Sequence, residues 1–144
     1  MPALLLISDS PRDRCGSSGA ARGLEYVAKR TPFADGPNAG FFAPAISKVD
    51  QLIVPSICLL EVCRRVLIQR GIEDAMQAAA LMQVGRVVDL DTGLALLAAQ
   101  IGVALKLALA DSVVLATARA HNAVLWTQDQ HFDGLDGVRY MAKK

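Results

Sequence analysis

Four acidic side chains stand at the ends of apolar stretches or inside them. Asp9 follows the run "ALLLIS", Glu61 lies in "ICLLEVC", Asp111 stands at the start of "ADSVVLATARAHN", and Asp129 follows "AVLWT". Carboxylate oxygens are the ligands that Mg²⁺ and Mn²⁺ prefer in proteins. Such an ion lowers the pKa of a bound water and stabilises the charge of a phosphodiester under attack. The four residues are therefore candidates for one metal site.

Each of these carboxylates also has a purely structural interpretation. Asp111 suits a helix start, where Asp is favoured by hydrogen bonding and by the helix dipole. Asp9 and Asp129 suit turns. Glu61 is harder to explain in this way, because its flanks are apolar on nearly every helical face. A buried carboxylate needs a cation, a hydrogen-bond donor or a raised pKa. The residues alone leave both interpretations open.

The elements that carry these residues alternate between short apolar runs and longer helical patterns. Strands are predicted at 3–8, 51–55, 86–90, 123–127 and 137–141. Helices are predicted at 24–30, 38–50, 56–70, 73–84, 92–107 and 110–122, with Ser56 as a cap and Gly71 as a helix end. Such alternation implies crossover connections and a parallel sheet covered on both faces. Ligands gather at the carboxyl ends of the strands in such sheets.

Composition limits the class of protein. With 144 residues, 53% hydrophobic and 20% charged, the chain is expected to form one globular domain, 1–144. A net charge of +1 excludes a general basic field, so any nucleic-acid contact must come from local groups such as Arg64 and Arg65. No convincing secretory signal is present, and no run approaches the roughly 20 apolar residues of a membrane helix. A cytoplasmic protein without a membrane anchor is expected.

Other site chemistries lack their partners in this sequence. His121 and His131 have no partner at zinc spacing. Ser56, Ser112 and Cys63 have no nearby histidine to activate them. The glycine-rich stretches lack the Lys-Ser/Thr ending of a phosphate-binding loop. The acidic residues remain the leading candidates.

Two segments together resemble the PIN-domain family, and within it the VapC-type toxins of bacterial toxin–antitoxin pairs. They are "IVPSICLLEVCRRVLIQRG" and "LKLALADSVVLATARAHNAVLWTQDQHFDGLDGVRY". Glu61 matches the family's glutamate in a strand–Pro–helix segment, and Asp111 matches the aspartate of an L-x-x-A-D-[SA] helix start. The segment "TQDQHF" matches a T-x-D-x-[DH]-F turn of the family through Thr127, Asp129, His131 and Phe132. The resemblance spans residues 35–141.

The resemblance implies a three-layer α/β/α sandwich with a central parallel sheet. It implies an endoribonuclease that hydrolyses RNA phosphodiesters with Mg²⁺ or Mn²⁺ held by Asp9, Glu61, Asp111 and Asp129. Thr127 would supply a hydroxyl that holds a ligand or a water. The implied partners are a VapB-type antitoxin that blocks the site and a second copy in a homodimer, with operator DNA contacted only through the antitoxin.

The N-terminal part departs from the family pattern, in which a strand is followed by Asp-Ser or Asp-Thr and then a helix. Asp9 stands in that setting, but Pro11 occupies the place where the helix should begin. Aligned from the other side, "CGSSGAARGLEY" puts Gly16 where the aspartate belongs, and Asp13 is a third candidate. Residues 9–33 are therefore atypical for the family. We expect Asp9 to be the ligand, because a parallel first strand would carry it to the other acids.

Two further hypotheses compete with an active ribonuclease. The first is a catalytically weak or inactive domain of the same fold that binds an antitoxin as a regulatory module; the atypical N-terminal part favours it. The second is an unrelated α/β binding domain whose acids are only caps and turns. The apolar stretch from Ala75 to Val84 is expected either to receive a partner helix or to be the core face of its own helix.

Overall fold

The computed structural model describes residues 4–8, 40, 41, 44 and 51–142. The strands are β1 (Leu4–Ser8), β2 (Leu52–Pro55), β3 (Arg86–Val88), β4 (Ala123–Thr127) and β5 (Val138–Tyr140). The helices are α1 (Ser56–Arg70), α2 (Ile72–Met82), α3 (Thr92–Leu105) and α4 (Leu109–Ala120), followed by a 3-10 helix, Gln130–Phe132. The predicted helices at 24–30 and 38–50 lie outside the described residues, except for Gly40, Phe41 and Pro44, which are helical. The predicted α/β class is confirmed.

One five-stranded sheet, in the order β3-β2-β1-β4-β5, forms the centre of the fold. β2 pairs with β3, and β4 with β5, in the predicted parallel sense. β1 differs, because it runs antiparallel to both of its neighbours. A short apolar run carries no information about its direction, and the long segment between β1 and β2 permits entry from either edge. The prediction of a parallel first strand is therefore wrong.

The direction of β1 bears on the predicted role of Asp9 as a metal ligand. Leu4 pairs with Thr127 at the carboxyl end of β4, and Ser8 pairs with Ala123 at its amino end. The carboxyl end of β1 thus lies at the sheet edge opposite to the one where β4 ends. Asp9 itself lies outside the described residues, so its place as a ligand stays a prediction without the support of a parallel strand.

The core lies between the sheet and α4. Burial alternates along β4, where Leu125 and Thr127 face the helices and are fully buried. From Ser112 to Ala118 all residues of α4 except the half-buried Val113 are buried, since α4 packs on β4, β2, α1 and α3. On the opposite face of β4, Trp126 contacts Phe41 with ring centroids 5.1 Å apart. Burial of the apolar side chains between α4 and β4 holds α4 over the sheet.

Two local features join α1 to its neighbours. Gly71, with φ 91°, ends α1 in a conformation that favours glycine, as predicted, and its N–H donates to the Leu67 carbonyl at 3.2 Å. Ser56 does not cap α1, because Pro55 occupies the cap position and no side chain caps the helix. The Ser56 hydroxyl instead accepts a hydrogen bond from the Leu90 N–H at 3.2 Å. This bond ties the start of α1 to the segment after β3.

The corner between α3 and α4 is closely packed. Lys106 adopts a left-handed conformation with φ 55° and ends α3. Ser112 is buried and donates its hydroxyl proton to the Ala108 carbonyl at 2.8 Å. A methyl group on Gly102 would overlap the Ser112 Oγ and stand 3.2 Å from its Cβ. The absence of a side chain at Gly102 therefore lets the two helices approach, and α4 starts from a fixed point.

No single helix among the described residues is long and apolar enough to cross a membrane. Only α3 and α4 taken together reach that length and hydropathy, and a bend of 114° separates them.

We expect Gly102→Ala to lower the free energy of unfolding by about 1–3 kcal/mol, since the added methyl group forces α3 away from Ser112. Gly93→Ala in the same helix is the matched control, because its nearest atom, the Asp91 Oδ1, is 3.6 Å away. Removing the obstructing hydroxyl in Gly102→Ala/Ser112→Ala should recover part of the loss. Urea denaturation measures all three variants. Equal stability of the two single glycine variants would contradict the close approach.

Candidate active site

The turn after β4 fixes the position of Asp129. The fully buried Thr127 ends the strand, and its hydroxyl accepts a hydrogen bond from the Asp129 N–H at 3.0 Å. The Asp129 Oδ1 in turn accepts a hydrogen bond from the His131 N–H at 3.0 Å. The structural interpretation of Asp129 as a turn former is therefore correct, and the same bonds hold its carboxylate at the carboxyl end of β4. Thr127 acts as a positioning residue through the backbone of Asp129.

Asp111 enters the site from the first turn of α4. Ala108 is the cap residue of this helix, and no side chain caps it, so Asp111 is not a helix cap. Its carboxylate is half-buried and receives no hydrogen bond from the described residues. Asp111, Asp129 and His131 each offer one ligand atom, and these atoms lie within 4.8 Å of one another. The structure thus brings two of the predicted acids together.

Glu61 approaches the same region from the second turn of α1. It is half-buried, and no described residue donates a hydrogen bond to its carboxylate. Burial raises its pKa, the negative charge of Asp111 raises it further, and Arg65 lowers it. Glu61 is outside the group of ligand atoms that lie within 4.8 Å, yet its charge interacts with that group.

The electrostatics of Asp111 follow the same pattern. Burial raises its pKa, the charge of Asp129 adds to this effect, and His131 lowers the pKa. Glu61, Asp111 and Asp129 thus form a chain of interacting negative charges without enough donors to stabilise them. A divalent cation removes such repulsion. Asp111, Asp129 and His131 are the residues that would hold the ion, with Glu61 beside them.

His131 matches the family turn in the sequence, but it was not predicted as a metal ligand; the structure brings it into the same group as Asp111 and Asp129. Its Nδ1 lies 2.8 Å from the Asp129 Oδ1, and its side chain is 66% exposed against 14% for Asp129. The sequence signal was its place two residues after Asp129 in the turn, because a tight turn returns that side chain to the carboxylate. His131 has no partner at zinc spacing, so that pattern does not reveal its contact with Asp129.

The remaining candidates have different outcomes. Asp13, like Asp9, lies outside the described residues. Burial, with the nearby charge of Glu61, raises the pKa of Cys58 to about 12, so its thiol is a neutral core group. Arg64 and Arg65 are exposed on α1, one turn after Glu61, and neither forms an ion pair among residues 51–142. Their side chains form a positively charged surface beside the acidic residues.

We expect Glu61→Gln to stabilise the metal-free protein at pH 7, because it removes a repelled and partly desolvated charge. The raised pKa means that the folded state binds the proton more tightly than the unfolded state. The penalty is therefore full above the folded-state pKa and vanishes as the pH falls below the unfolded value of about 4.3. Melting curves in EDTA from pH 7 to pH 4 measure the difference. The exposed Glu73→Gln is the control, and a similar gain in that variant would contradict a local cause.

Comparison with known proteins places this site in a family. A model of the PIN domain matches residues 32–138, so β1 lies before the match. A chain of a toxin–antitoxin complex from Klebsiella pneumoniae has a similar fold, with a TM-score of 0.55 and 22% identity over 60% of this chain and 71% of that chain. No curated protein matches. Since the PIN model covers β2, β3, β4 and all four helices described here, and reaches the first residue of β5, this chain belongs to the PIN-domain family.

Proposed function

We propose that this protein is a divalent-metal-dependent endoribonuclease and the toxin of a VapC-type toxin–antitoxin pair. The observation that carries the proposal is the convergence of half-buried carboxylates: Asp111 and Asp129 offer ligand atoms within 4.8 Å of each other, and the charge of Asp111 raises the pKa of Glu61. PIN domains are generally nucleases, which agrees with such a site. Mg²⁺ or Mn²⁺ would supply charge stabilisation and an activated water.

The residues of the chain divide the remaining work. Asp111 and Asp129, with His131 beside them, would hold the cation, and Glu61 would add negative charge on the α1 side. Thr127 fixes Asp129 through its backbone N–H. Arg64 and Arg65 are exposed on the same helix as Glu61 and would contact RNA phosphates. In this arrangement a bound phosphodiester would lie between the cation and a basic surface.

A specific observation favours a second candidate, a weak or inactive domain that binds an antitoxin. β1 presents its amino end, Leu4, at the edge where β4 ends, so the described part of this strand contributes no carboxylate there. The similar fold in a toxin–antitoxin complex supports an antitoxin partner for either candidate. A homodimer, operator binding through the antitoxin and a cytoplasmic location complete the proposal.

We expect Mn²⁺ to raise the melting temperature of the wild type, since an ion that binds only the folded state stabilises it. Asp111→Asn should remove most of this shift and lower RNA cleavage by roughly 100-fold, because a direct ligand is lost. The exposed Asp136→Asn is the control and should behave as the wild type. Metal binding without cleavage, and without growth arrest on expression alone, would support the inactive domain. No thermal shift with millimolar Mn²⁺ would count against the metal site.

The second prediction concerns the antitoxin surface. On α2, Ala75 is buried against the fold whereas Met76 is 62% exposed, so this stretch is not only a core face. We expect Met76→Glu to leave the protein folded and to abolish co-purification with the antitoxin, because a charge then faces the apolar side of a partner helix. Gln77→Glu, exposed on the same helix, should retain the antitoxin. Leu81→Glu should reduce stability, since Leu81 is half-buried. Retention of the antitoxin by folded Met76→Glu would exclude α2 from the interface.

A further inference from the structure

The imidazole of His131 is built into the turn that presents Asp129. Phe132, the next residue, is fully buried and fixes the 3-10 helix against the core. Its burial leaves the His131 side chain on the open side of the turn, where its Nδ1 meets the Asp129 Oδ1 at 2.8 Å. The backbone of His131 is therefore fixed beside the acidic site, and the exposed ring meets Asp129 from there.

The imidazole faces Asp111 as well as Asp129. Its ligand atom belongs to the group within 4.8 Å that includes both carboxylates. Its charge also lowers the pKa of Asp111, which lies on a different element. Adjacent ligands of an octahedral ion at about 2.1 Å stand roughly 3 Å apart. The 2.8 Å between the Nδ1 and Oδ1 atoms fits that spacing, so both atoms can bind one ion after small side-chain movements.

We infer that His131 is a direct ligand of the cation, together with Asp111 and Asp129, and that the site selects Mn²⁺ over Mg²⁺. The inference rests on the metal site of the proposed function and deepens it. An imidazole nitrogen is a good ligand for first-row transition ions, whereas Mg²⁺ prefers oxygen ligands and keeps several waters. A site with two carboxylates and one imidazole therefore discriminates between Mn²⁺ and Mg²⁺. A site of carboxylates alone discriminates between them less.

If His131 only oriented the Asp129 carboxylate, substitutions at position 131 would have different effects on metal binding. The Asp129 Oδ1 already accepts the His131 backbone N–H, and an Nδ1–H donated to the same oxygen would only orient the carboxylate. In that case any side chain with an N–H donor would replace the imidazole. His131→Asn keeps a donor near Asp129 without the imidazole lone pair. His131→Asp supplies an oxygen ligand, and the family motif T-x-D-x-[DH]-F accepts that residue.

The experiment is calorimetric titration of the full chain with Mn²⁺ and, separately, with Mg²⁺. His131→Ala and His131→Asn should each lose roughly 10-fold or more in Mn²⁺ affinity. Their Mg²⁺ affinity should change much less, so the preference for Mn²⁺ collapses. His131→Asp should shift the preference toward Mg²⁺. His121→Ala removes the other of the two histidines and should leave both affinities unchanged.

A spectroscopic measurement tests direct ligation. In ¹⁵N spectra of the imidazoles, Zn²⁺ should shift a ring nitrogen of His131 and leave His121 unmoved. A wild-type Mn²⁺ preference in His131→Asn, or an unshifted His131 ring with bound Zn²⁺, would overturn the inference and leave the proposed function intact. A wild type that binds neither Mn²⁺ nor Mg²⁺ would overturn both.

Discussion

Repulsion between half-buried carboxylates is the constraint to which the rest of the structure is adapted. Glu61, Asp111 and Asp129 come from three elements that are distant in sequence, and each would be better solvated elsewhere. The packing of α4 on the sheet and on α1 holds them together against this repulsion. The hydrophobic core therefore supplies the free energy that keeps an unfavourable cluster of charges at the sheet edge.

Different structural features hold Asp129 and Asp111 in position. Asp129 is held by two hydrogen bonds of a turn: its N–H donates to the Thr127 hydroxyl, and its Oδ1 accepts the His131 N–H. Asp111 is held by the start of α4, and that start depends on the contact between Gly102 and Ser112. A backbone turn and a helix corner both resist small displacements, because the hydrogen bonds of the turn and the close packing at Gly102 leave little room. Among the described residues, Asp111 and Asp129 are thus placed by rigid elements, and the exposed His131 ring lies on the open side of the turn.

The sequence predicted most of the elements because their signals are local. Helix α1 ends at Gly71 and α3 begins after Asp91, whose side chain accepts a hydrogen bond from the Leu94 N–H at 2.8 Å. The position of Asp129 directly after a strand pattern made it a candidate site residue. The apolar flanks of Glu61 did the same for that carboxylate. The direction of β1 was not predictable, because it depends on pairing between segments distant in sequence. His131 was missed, because its partner Asp111 is brought near only by the fold.

The central place of β1 also affects how the sheet is connected. Among the described strands, β2–β3 and β4–β5 are joined only through β1, which precedes the segment that matches the family. Two-stranded ribbons are marginal by themselves. Proteolytic removal of the first eight residues would therefore divide the sheet into two ribbons, with α4 as the element that still contacts both β2 and β4. A strand that precedes the matched residues 32–138 thus connects the two halves of the sheet.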